Sequence, residues 1–79
     1  GIKHYQKGEY EPNSMHKKTW EITLVVSGII KMYNQILTKG NIILLEPGDI
    51  SEFECIEECS IVIVKYPSNP SDKILIDSN

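Results

Sequence analysis

Along Thr19–Ser27, side chains divide by alternation into two sets. Glu21, Thr23 and Val25 fall on one face, and Trp20, Ile22, Leu24 and Val26 on the other. Successive side chains of a strand do this. It is the strongest strand signal in the chain, and Gly28 is expected to end it. Weaker signals surround it. Ile2–Lys7 alternates loosely, Gly8–Asn13 reads as a loop because it holds Gly, Pro and Asn, and Ser14–Lys17 is a short strand candidate. Ile29–Tyr33 and Gln35–Lys39 flank Asn34 as a hairpin. Lys39-Gly40-Asn41 turns again, since Gly and Asn accept positive φ. Ile42–Leu45 follows. Glu46-Pro47-Gly48-Asp49 suits a turn with Pro at i+1 and Gly at i+2. Ile50–Cys55 and Cys59–Tyr66 are expected to pair as a hairpin across Ile56–Glu58. Pro67–Asp72 reads as a loop that cannot continue a sheet, and Ile74–Ile76 as a last short strand. About eight or nine strands and no helix predict an all-β sandwich or small barrel.

The face carrying Trp20, Ile22 and Leu24 is wholly apolar. An outer face left to water should not be. If Glu21 points into the barrel, these three residues are the expected interface with another sheet, a second chain or a fused domain.

Size supports that expectation. With 79 residues the chain is one domain, 1–79. A chain this short buries only about 60–65% of the surface its unfolded form exposes. Its core is thin, and dimerisation or docking onto a larger protein would extend it. The chain begins with Gly1 rather than Met, which is expected of a domain excised from a larger protein, so Gly1 carries no weight here.

The formal charge is −3, and the eight basic residues are all lysines. Nucleic-acid binding needs clustered Lys and Arg to neutralise phosphates, and only the pair Lys17-Lys18 is offered, so nucleic acid is set aside as a partner. The longest apolar runs fall far short of the ~20 residues of a membrane helix. No secretory signal is present, and a cytoplasmic location is expected. Cys55 and Cys59 are not spaced as a CxxC zinc pair. They read as buried thiols of a reducing compartment, although their spacing also suits opposite positions in a tight hairpin, where an oxidised sample could join them. The acids of EPGDISEFECIEE are not spaced like a calcium loop. Glu52 and Glu54 alternate with Phe53 as a solvated strand face does.

The segment Gly8 to Gly28 resembles the first signature of the cupins. In that signature a glycine is followed after five residues by His-any-His, then after three or four by glutamate, and after six more by glycine. Here the matching positions are Gly8, Ser14-Met15-His16, Glu21 and Gly28, with Ser14 in place of the first histidine. The second signature is similar to Gly40–Cys55. Gly40 and Gly48 match, Glu46 stands beside Pro47 at the proline position, Ser51 replaces the third histidine and Cys55 the asparagine. The resemblance covers roughly positions 8 to 66. It implies a double-stranded β-helix, or jelly-roll, barrel. The ending KYPSNPSDKIL is similar to those of small cupins fused to, or encoded beside, nucleotide-sugar enzymes.

The usual cupin site holds a divalent transition metal on three histidines and one glutamate. The nitrogen and oxygen donors suit Fe, Mn, Ni or Zn. Only His16 and Glu21 remain here as metal ligands. Serine hydroxyls are poor ligands, and even catalytic zinc sites normally keep three protein ligands. His4 could be offered as a third ligand, but a surface histidine is the simpler reading. No cofactor is therefore expected. Ser14, His16, Glu21 and Ser51 would instead line a pocket for a small polar molecule such as a sugar or sugar nucleotide. Lys17-Lys18, beside His16, reads as a plain charged loop.

Three functions follow. The leading one is a non-catalytic module that binds such a ligand or mediates assembly of a carbohydrate-metabolism protein. A metal-dependent or metal-free sugar isomerase or epimerase is the rival, and its metal-free form needs a tyrosine acid, Tyr33 or Tyr66, near His16. The third is a purely structural dimerisation module. Fold alone cannot choose among them.

Overall fold

The computed structural model describes residues 1–67 and 73–76. Within them lie seven strands: β1 (Ile2–Tyr5), β2 (Tyr10–His16), β3 (Trp20–Met32), β4 (Gln35–Thr38), β5 (Ile42–Leu45), β6 (Ser51–Tyr66) and β7 (Lys73–Leu75). Every pairing is antiparallel. Among the described residues no helix is long and apolar enough to cross a membrane.

Two long strands organise the rest. β3 and β6 pair along nearly their whole lengths, from Trp20 opposite Tyr66 to Met32 opposite Phe53. At one end the pair is flanked by β5 and β1, giving the order β5-β3-β6-β1. At the other end it is flanked by β4 and β2, with β7 beyond, giving β4-β3-β6-β2-β7. Between the two ends the β3–β6 register slips three times, from Val25 to Ile30. Bulges of this kind bend a strand and increase its twist. β3 and β6 thus turn a corner together, and the sheet folds into two layers around one core.

Gly28 does not end the strand. It sits at the corner of β3 with φ +83°, and an added Cβ would run into the Glu58 carbonyl and lie 2.7 Å from Cys59 Cα. Glycine allows the two backbones to approach closely where the strand bends. The expected hairpin across Ile56–Glu58 is likewise absent, because those residues continue β6 and Glu57 pairs with Ile29. Turn chemistry is missing there, and the β3 partner carries the strand through. Cys55 and Cys59 are consequently not facing hairpin positions. Both are buried free thiols.

The expected loop Gly8–Asn13 is mostly strand, since β2 begins at Tyr10. Pro12 is accommodated because the β2–β6 register shifts between Glu11 and Ser14. A residue without an N–H is tolerated at such an irregularity. The merging of segments explains why seven strands replace the larger number expected. Most of the expected loop Pro67–Asp72 lies outside the described residues.

The inward positions form one apolar cluster, in which Val25, Ile30, Cys55 and Ile61 are almost completely buried. Tyr5 and Phe53 connect the layers, with ring centroids 4.5 Å apart, within the range of favourable aromatic pairs.

Candidate functional site

The inward alternation of two strands builds a polar cluster at one end of the core. β2 ends on His16, with Ser14 two residues earlier on the same side. β3 begins at Trp20, so Glu21 and Thr23 point inward beside them, and both are buried. Ser51, the first residue of β6, is the register partner of Ser14. The Glu46–Asp49 turn closes this end. Asp49 Oδ2 accepts from the Glu46 N–H at 2.8 Å, and the Gly48 N–H donates to the His16 carbonyl at 2.9 Å.

Ser14, His16, Glu21 and Ser51 all line one cavity of about 50 Å³. The four residues expected at the site are therefore brought together. Their roles differ. His16 Nε2 and Glu21 Oε1 are 3.3 Å apart, and the Thr23 hydroxyl donates to Glu21 Oε2 at 3.3 Å. Both carboxylate oxygens thus have partners, as burial of a carboxylate requires. With Nε2–H as the donor to Glu21, the other ring nitrogen faces a different situation. His16 Nδ1 is buried and has no hydrogen-bond partner among the described residues. Ser51 is committed to its neighbours, accepting from the Tyr33 N–H at 2.9 Å and donating to the Glu52 carbonyl at 2.8 Å.

Alternation put Thr23 on the Glu21 face, but nothing in the sequence marked it as a carboxylate partner. Tyr5, Glu11 and Lys73, which also line the cavity, carried no signal at all, because only the tertiary pairing joins them. The Tyr5 hydroxyl donates to Glu11 Oε2 at 2.7 Å, and Lys73 Nζ lies 3.7 Å from Glu11 Oε1. Burial, and then the Glu11 carboxylate, push the Tyr5 phenol well above its ordinary pKa.

The donor set does not fit the transition metal of a full cupin site. Among the described residues, no group of three or more His, Cys, Asp or Glu side chains is arranged to hold a metal ion. His4 is not a third ligand here. Its Nδ1 lies 2.6 Å from the Ser60 hydroxyl on an exposed part of β1. Neither expected tyrosine reaches His16. Tyr33 O–H points to Asp49 Oδ1 at 3.4 Å, and Tyr66 is exposed beside Trp20.

Comparison with solved structures settles the architecture. The chain matches an uncharacterized conserved protein with a double-stranded β-helix domain from Klebsiella pneumoniae subsp. pneumoniae, at TM-score 0.84 and 21% identity. The match covers 98% of this chain and 72% of that one. The fold is a double-stranded β-helix. KdgF from Halomonas sp. is a second neighbour, at TM-score 0.75 and 14% identity over 89% of this chain and 68% of that one. No family model and no curated protein matches the sequence. In the double-stranded β-helix, the glycines of the cupin-like spacing acquire physical roles. Gly28 makes the corner of β3, and Gly48 ties the closing turn to His16.

Proposed function

We propose that this double-stranded β-helix is a non-catalytic module that holds a small polyhydroxyl molecule, a sugar or the sugar of a sugar nucleotide, at the His16 end of the barrel. One observation carries the reading: Ser14, His16, Glu21 and Ser51 converge on one cavity, and His16 keeps a buried ring nitrogen, Nδ1, with no partner among the described residues. A buried polar atom without a partner costs about 1–3 kcal/mol, so a shift of the His16 ring that brought Nδ1 to a ligand hydroxyl would remove that cost. When Nε2–H is the donor to Glu21, Nδ1 is left as an acceptor. The cavity of about 50 Å³ takes a hydroxymethyl arm or a few waters, given that one water needs roughly 10–15 Å³. The sugar ring itself would sit outside the cavity, whose lining includes the exposed residues Lys3, Lys65 and Glu46.

The test is an NMR titration of the chain with a panel of monosaccharides and nucleotide sugars, reading the His16 ring nitrogens and the backbone amides. The reading expects saturable shifts centred on Ser14, His16 and Glu21, with a marked change at His16 Nδ1, and their loss in His16→Phe. Resonances that stay in place across the whole panel would overturn it. So would a near-stoichiometric transition metal in protein purified without a histidine tag or added metal.

A further inference from the structure

The outer face of the β5-β3-β6-β1 layer is built from apolar residues in register. Leu44, Ile22 and Val64 stand side by side across three strands, 50%, 42% and 53% exposed. Below them Ile42, Leu24, Val62 and Ile2 form a second row across four strands. Above them Trp20 pairs with Tyr66, which is 77% exposed. No charged side chain interrupts the three rows. The lysines of the same strands, Lys3 and Lys65, line the cavity on the inner side instead. The other layer differs. Its matching row runs Ile36, Lys31, Glu54 and Tyr10, with opposite charges at the centre.

We propose that this face is where a second copy of the chain docks, forming an isologous two-fold dimer. Area supports it. With ordinary whole-residue areas, the exposed fractions in the three rows amount to roughly 700–800 Å², close to the roughly 800 Å² that each partner contributes to a standard-size interface. Charge supports it as well. A two-fold contact sets each patch against itself, so any concentrated charge would repel its copy. A face with no charge is self-complementary, whereas a partner recognised by charge would have nothing to read. The border is polar where His4 meets Ser60, in keeping with an apolar centre and a wetter rim. The three rows are centred between β3 and β6, so the axis passes between Ile22 and Val64 and sets Ile22 of one copy near Val64 of the other. Aligned packing of two such sheets is a common arrangement. The interface is separate from the His16 cavity, and either reading can fail without the other.

Light scattering and sedimentation of the whole chain test this. The expected mass is twice the 9.0 kDa of one chain. Ile22→Glu should halve it while the far-ultraviolet spectrum stays that of a β protein, and Val64→Lys should do the same if the first variant fails to fold. Ile36→Glu, at a more exposed isoleucine on the other layer, should remain a dimer. Trp20 is the only tryptophan, so its emission should shift to the red on dilution of the wild type. A wild-type mass of one chain at high concentration would overturn the proposal and point to a different partner. A dimer that survives both Ile22→Glu and Val64→Lys, or one that Ile36→Glu dissociates, would overturn it too.

Discussion

His16 and Glu21 meet at 3.3 Å, although they lie on different strands, and each is almost entirely shielded from water. The contact satisfies one oxygen of Glu21, and Thr23 satisfies the other. Removing one partner leaves a buried carboxylate half-paired, whereas removing both leaves no buried carboxylate and only the neutral Thr23 hydroxyl without its acceptor. His16→Leu should therefore lower stability by about 2–3 kcal/mol in urea unfolding. The double variant His16→Leu/Glu21→Leu should be at least as stable as the single one. If the two losses instead add, the side chains are energetically independent and the pair is only a neighbourhood.

Gly28 gives a sharper expectation. Its φ of +83° is disfavoured for any residue with a Cβ, and the space a Cβ needs is filled by the backbone of Glu58 and Cys59. Backbone cannot rotate away as a side chain can. Gly28→Ala should cost at least about 3 kcal/mol or prevent folding, measured by the urea midpoint or by loss of soluble protein. Gly40→Ala, also at positive φ but with nothing within 4 Å, should cost less. Equal losses at the two positions would show that φ alone matters and that the corner is not tightly packed.

The contrast between Gly28 and Glu21 shows what the sequence could convey. Alternation along Thr19–Ser27 correctly separated Glu21, Thr23 and Val25 from Trp20, Ile22 and Leu24, because a two-residue period is a local property. The resemblance to the cupin signatures singled out Ser14, His16, Glu21 and Ser51, and all four line one cavity. The meaning of Gly28 was not local. A glycine inside a strand pattern reads equally as a stop or as a bulge, and only the pairing with β6 decides. The same holds for Ile56–Glu58, where two strand segments proved to be one, and for Tyr5 with Glu11, whose contact depends on how the layers close.

The two cysteines should be inert in the folded chain. Cys55 and Cys59 are 0% and 1% exposed, and thiol reagents attack the accessible thiolate. Burial, followed by a hydrogen bond with Cys55, pushes the Cys59 thiol up to about 12. A chromogenic disulfide reagent at pH 8 should therefore label neither residue rapidly in native protein and both at once in denaturant. Rapid native labelling at either position would mean that the β6 corner opens far more often than global unfolding allows.

The same burial makes the protein sensitive to alkali. The ordinary value for Cys59 is 9.0 and its folded value about 12, and Tyr5 is also raised in the folded state, above an ordinary 10.0. Above pH 9 the unfolded chain releases the thiol proton that the folded chain still holds, and above pH 10 the same becomes true of the phenol. The unfolded state then binds fewer protons than the native one, so the slope of stability against pH is negative. Stability from these groups should be fully present below pH 9 and fall progressively as pH rises toward 12. Urea midpoints measured at intervals from pH 7 to pH 11 should show the decline. Cys59→Ala should flatten its first part, and Tyr5→Phe the part above pH 10. A midpoint that does not move across this range, or a decline unchanged in both variants, would mean that the two groups titrate alike in the folded and unfolded chains. Burial in the Tyr5–Cys59 region of the core would then not govern the response to alkali.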